Sequence, residues 1–116
     1  MNMQEFSREN RARCEATNGF SKPVEHWSLS DWMLATAGEL GEAMNVAKKL
    51  NRVRDGIPGN ERTPEQLRAD LADELADTFI YLDLTAQSQG IDLAAAIRSK
   101  FDRTSAKIGY APQPAE

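Results

Sequence analysis

Several kinds of chemistry are excluded by what this chain lacks. It has one cysteine, Cys14, so no internal disulfide can form, and a reducing, cytoplasmic setting is the simplest expectation. Its one histidine, His26, falls in or near a loop, so the Glu-x-x-His pairs of a di-iron bundle are missing. No Walker motif, glycine-rich phosphate loop, Ser-His-Asp set or Cys-His pair is present. No run of 18 apolar residues occurs, so no membrane partner is expected. The opening "MNMQEFSREN" is polar and lacks the apolar segment of an export signal. Basic residues number 14 against 18 acidic ones, a net charge of −4, which argues against a nucleic-acid partner.

What remains is an ordinary soluble composition in 116 residues, enough for a single domain with one modest core. Loops are expected at "NGFSKP" (residues 18–23) and "RDGIPGNERTP" (54–64), with helix ends at Gly90 and Gly109. The tail "APQPAE" (111–116) reads as flexible or extended. Between the breaks the periodicity is helical throughout. Thr63-Pro64-Glu65-Gln66 starts a helix with a capping box, and Leu67, Leu71, Leu75, Thr78 and Leu82 follow at spacings of three and four. Ser28 or Ser30 caps an earlier helix with Leu29, Met33, Leu40, Met44, Ala47 and Leu50 on one face. Asp92 caps a last helix carrying Leu93, Ile97, Phe101 and Ile108, and a first, weaker helix spans about 4–17. No segment alternates with period two. The expected fold is all-α, a protomer like a four-helix bundle.

The acidic residues are the candidate chemistry. Glu39 with Glu42, Asp70 with Asp73, and Glu74 with Asp77 each lie three apart. Chance gives about three such pairs in a chain this acidic, so the count decides nothing, and a solvated helix face remains the alternative. Position is more informative. Glu39 shares a helical row with Trp32, Ala35, Glu42, Val46 and Lys49, a row that borders the apolar stripe. Asp70, Glu74, Asp77 and Tyr81 form a similar row on the later helix. If the two margins face each other, four carboxylates converge, and divalent cations are the natural compensation. The ligands would be oxygen only, which fits Mg²⁺ or Mn²⁺ and disfavours zinc. Lysines and arginines lie near helix ends, where the helix dipole alone accounts for them; beside a metal site they are also what a polyphosphate needs. Trp32 lies seven residues before Glu39 on the same row, about 10 Å along the helix, which is the reach from a nucleotide's phosphates to its base. It is a candidate wall of a base pocket, with core packing as the alternative and Trp27 as the rival.

Three stretches, "WMLATAGELGEAMNVAKKL", "LADELADTFIYLDL" and "GIDLAAAIRSKFDRTSAKIG", resemble in order the MazG-like nucleotide pyrophosphohydrolases of the all-α NTP pyrophosphatase superfamily. The resemblance covers about residues 27–109. It implies a Mg²⁺-dependent hydrolase that converts nucleoside triphosphates to monophosphate and pyrophosphate by water attack at the α-phosphorus. It implies that Glu39, Glu42, Glu74 and Asp77 are the metal ligands and catalytic set, holding one to three ions. Lys49 and Lys100 become phosphate contacts, and Asp102 a site residue where the family usually has asparagine. Asp70 and Asp73 lie outside the motif and are expected to support the site from behind or to be solvated. A homodimer or homotetramer is implied, in keeping with "TFIYLDLTA" being apolar almost all round. The competing readings are a relative specific for dUTP, dCTP or an alarmone, and a non-catalytic helical module that binds a partner.

Overall fold

The computed structural model describes residues 1–112; most of the expected flexible tail, residues 113–116, lies outside the described residues. The helices are α1 (Met3–Glu15), α2 (Leu29–Arg54), α3 (Pro64–Ser88) and α4 (Leu93–Ile108), with a short 3-10 turn at Val24–His26. There is no strand among the described residues, and the expected all-α architecture is what the chain adopts.

Polar caps set where the helices begin. Thr63 accepts from the Gln66 N–H while the Gln66 side chain accepts from the Thr63 N–H, closing the capping box. Ser28, rather than Ser30, does the same with Asp31 for α2, and Asn2 with Glu5 for α1. Asp92 caps α4, which ends on Gly109 in the left-handed region at φ 76°, where a side chain would be strained.

The main packing is α2 against α3, with α1 lying across α3. Cys14, Val24, Trp32 and Leu84 form the core cluster, with Trp27 and Tyr81 packed against it. Trp32 satisfies its indole N–H on the Val24 carbonyl at 2.8 Å. Farther along the seam Ala43 and Val46 of α2 and Leu67 of α3 are buried.

The helix faces require a correction. The stripe Leu29, Met33, Leu40 and Met44, expected to be the buried face of α2, is 46–64% exposed. The inner face is instead the row through Trp32, Glu39 and Val46, which periodicity places at the margin. Helix α2 has two apolar sides, and period alone does not say which one meets its own chain. Leu75 and Leu82 of α3, and Ile97, Phe101 and Ile108 of α4, are likewise exposed. The radius of gyration is 18.0 Å, against about 13 Å for a closed chain of this size. Helix α4 meets the remainder of the fold chiefly at α3.

One polar network holds α1 in place. Asp83, only 1% exposed, accepts from the Ser7 hydroxyl at 2.6 Å, and from the Asn10 and Gln87 amides at 2.9 Å each. Asn10 also donates to the Ile80 carbonyl, and Gln87 to the Ser7 carbonyl. Asp83→Ala takes one acceptor from each of Ser7, Asn10 and Gln87. It should cost about 2–3 kcal/mol, read as a lower urea midpoint at unchanged slope. An unchanged midpoint would show that α1 is held by its apolar contacts alone.

Candidate metal centre

Antiparallel packing of α2 on α3 brings two three-residue spacings face to face. One carboxylate oxygen from each of Glu39, Glu74 and Asp77 lies within 4.8 Å of the other two. Glu39 and Glu74 are half-buried, and the Oε2 atom of each is shut off from solvent with no hydrogen-bond partner. None of the ion pairs among the described residues involves Glu39, Glu42, Glu74 or Asp77. Buried polar atoms are normally satisfied, so two orphaned carboxylate oxygens on facing helices stand out as a candidate site.

The electrostatics follow from the crowding. Burial pushes the Glu39 carboxyl above the usual carboxylate range, and the negative charges of Glu42 and Asp77 push it further. Glu74 is raised mainly by hydrogen bonding with Glu42, then by burial and by the charges of Glu42, Asp77 and Glu39. Glu42 thus belongs electrostatically to the group, although it is exposed and stands outside the three-oxygen set.

The donors fit a hard divalent cation. They are oxygens only, and they carry excess negative charge that a cation would neutralise. No softer ligand is at hand: His26 is exposed on the 3-10 turn, and the buried Cys14 thiol donates to the Lys22 carbonyl.

Glu39 and Asp77 also stand in the wall of a cavity of about 380 Å³ that Trp27, Trp32, Tyr81 and Phe20 help to line. Trp32 is only 2% exposed and packs on Trp27 at 4.6 Å and Tyr81 at 6.2 Å between ring centroids. It serves as core and as cavity wall together, while Trp27 is the more accessible indole.

The other candidates stand apart from the carboxylates. Lys49 is exposed in the last turns of α2, where its carbonyl accepts from Asn60. Lys100 is exposed on α4 in an apolar groove with Ile97 and Phe101. Asp102 pairs with Arg98 at 2.5 Å. Asp70 receives both Arg62 nitrogens at 2.8 Å, which ties down the α2–α3 loop, and Asp73 is exposed.

Sequence reasoning missed two cations in the cavity wall. Arg13 sits over the Phe20 ring at 5.5 Å, and Lys22 over the Trp27 ring at 4.4 Å. Both belong to the α1 end and the loop that follows, where no periodicity points to them.

Comparison with known proteins finds partial likenesses. The chain is 39% identical over 70 residues to dCTP pyrophosphatase 1 of Homo sapiens and to that of Mus musculus, and 37% identical to that of Rattus norvegicus. Each match takes in 60% of this chain and 39% of the relative, so it spans well under half the length of those proteins. No family model matches the chain, and no solved structure matches it. The relatives that do match carry the name of enzymes acting on a nucleoside triphosphate, the substrate class that the three sequence motifs imply.

Proposed function

We propose that this chain is a Mg²⁺-dependent nucleoside triphosphate pyrophosphohydrolase, converting a (d)NTP and water to (d)NMP and pyrophosphate. One observation carries the reading: three carboxylate oxygens gathered within 4.8 Å, two carboxylates with an orphaned oxygen, beside an aromatic-walled cavity. The likeness to dCTP pyrophosphatases supports it.

Glu39, Glu74 and Asp77 would hold the cation, with Glu42 at its edge. Bound there, Mg²⁺ or Mn²⁺ supplies neutralisation of phosphate charge and acidification of a water. Glu42, which lies outside the three-oxygen set, would take the proton of the attacking water. The water oxygen forms a bond to the α-phosphorus, and the bond from that phosphorus to pyrophosphate breaks. The cavity beyond Asp77 receives the nucleoside, with Trp27 and Tyr81 as apolar walls and Trp32 as the fixed backing. Its volume suits one small ligand.

The exposed faces of α2 and α4 support a homodimer or homotetramer. Assembly would give Lys49 and Lys100, exposed in the protomer, a place against the pyrophosphate. A non-catalytic partner-binding module would also have apolar faces, but it has no use for unpaired carboxylates at a helix seam.

Glu39→Gln or Asp77→Asn should lower kcat by at least about a hundredfold, with the helical circular dichroism kept. Saturating Mg²⁺ should raise the Tm of the native protein and much less that of Glu39→Gln. Full hydrolysis by either variant, or by the native protein in EDTA, would remove these residues from the metal site.

A second outcome concerns the metal-free protein. Glu39 and Glu74 have folded-state pKa values above those of the unfolded chain. The penalty is therefore absent below the ordinary carboxylate range and complete once pH exceeds the raised values. Glu39→Gln should raise the Tm in EDTA at neutral pH and leave it nearly unchanged at about pH 4. An equal Tm change at both pH values would show that repulsion is not the cause.

Hydrolysis in ¹⁸O-water should label the monophosphate. Label in pyrophosphate would move the attack to the β-phosphorus.

A further inference from the structure

The two cations of the cavity have no anionic partner among the described residues. Arg13 and Lys22 make no ion pair among the described residues, and each is held over an aromatic face. Their place along the cavity can be read from both helices. Lys22 donates its backbone N–H to Cys14, and Cys14 packs with Trp32 and Leu84. Trp32 is seven residues before Glu39, and Leu84 seven residues after Asp77, so each helix puts this end about 10 Å from the carboxylates. Arg13 adjoins Cys14 in sequence, and its carbonyl accepts from the Phe20 N–H, which fixes the loop beside it. The cavity therefore has an acidic end at Glu39 and Asp77 and, about 10 Å along it, an end where Arg13 and Lys22 lie over the Phe20 and Trp27 rings.

We infer that Arg13 and Lys22 read the outer edge of the base, and that the chain prefers nucleotides whose base presents a carbonyl oxygen there (uracil, thymine or guanine) over those presenting an amino group (cytosine or adenine). The inference rests on the hydrolase reading for its orientation, with phosphates at the acidic end. The chemistry is one-sided. Ammonium and guanidinium groups only donate. The O4 of uracil and thymine and the O6 of guanine accept; the exocyclic amino groups that cytosine and adenine carry at the matching positions are themselves donors. A charge-assisted hydrogen bond gained, set against two donors facing each other, supports a preference of about tenfold or more. The name of the matched relatives points to dCTP for those proteins, so the preference expected here departs from theirs.

The test measures kcat/KM for dUTP, dTTP, dGTP, dCTP and dATP with Mg²⁺, and the binding of dUMP and dCMP by calorimetry, for the native chain and for Lys22→Met and Arg13→Met. The native protein should favour the carbonyl-edged set at least tenfold in both measurements. Each variant should lose most of that ratio, with the loss in KM for dUTP larger than for dCTP. Equal use of dUTP and dCTP, or preference for dCTP, overturns the inference while leaving the hydrolase reading intact. So does an equal loss for all five nucleotides in the variants, which would assign the cations to phosphate. Absence of hydrolysis with dUMP still bound more tightly than dCMP would sink the hydrolase reading and keep the cavity assignment; absence of hydrolysis together with equal binding of the two would sink both.

Discussion

Mutual repulsion of carboxylates across the α2–α3 seam is the constraint around which this fold is built. Oxygens of Glu39, Glu74 and Asp77 lie within 4.8 Å of one another, Glu42 stands beside them, and none of the four carboxylates is in an ion pair among the described residues. Two helices would not stay packed at such a place unless they were clamped elsewhere. The clamps lie on either side. Trp32 and Leu84 pack toward one end of the seam, and Val46 and Leu67 are buried toward the other. Full burial of a side chain of this kind is worth about 1.5–3 kcal/mol, and together these hold an acidic zone that the helices would otherwise avoid.

The same helix α3 shows what a carboxylate looks like when its role is structural. Asp83 lies six residues past Asp77 and is more deeply buried than any residue of the acidic group, yet its oxygens take three hydrogen bonds from Ser7, Asn10 and Gln87. Glu39 and Glu74, less buried, each keep an oxygen with no donor at all. Burial alone therefore does not separate the two kinds of carboxylate here; satisfaction does. Asp83 spends its lone pairs inside the protomer and fixes α1, which in turn carries Arg13 to the cavity. The seam carboxylates leave theirs open.

Local signals were the legible part of this fold. The capping box at Thr63, the cap at Asp92 and the glycine at 109 each depend on a few neighbouring residues, and each stands where the pattern puts it. The pairing of Glu39 with Glu74 and Asp77 could be anticipated because both sides obey the same helical spacing. What could not be read depends on long-range packing. Leu40 and Met44 repeat with the right period for a core, but Trp32 and Val46 on the neighbouring row win the inner position, since a buried indole with a satisfied N–H fills the space that α1 and the 3-10 turn enclose. Asp83 escaped notice because its partners are more than 70 residues away in Ser7 and Asn10. Arg13, Phe20, Lys22 and Trp27 come together only because the α1–α2 connection folds back on Cys14.

The two faces of α2 are not independent. Glu39 and Leu40 are adjacent, as are Ala43 and Met44, so a rotation of the helix about its axis that buries one side turns the other. In the protomer the inward aim of Glu39 is maintained by Trp32 and Val46 against electrostatic repulsion that tends to turn it out. An associated copy covering Leu29, Met33, Leu40 and Met44 would oppose that rotation from outside, because turning Glu39 toward solvent would pull those apolar side chains from the interface. In the assembled form proposed above, self-association and the geometry of the acidic group are therefore coupled through a single rigid helix. Hydrophobic burial on the outer face of α2 then stabilises charge convergence on the inner one.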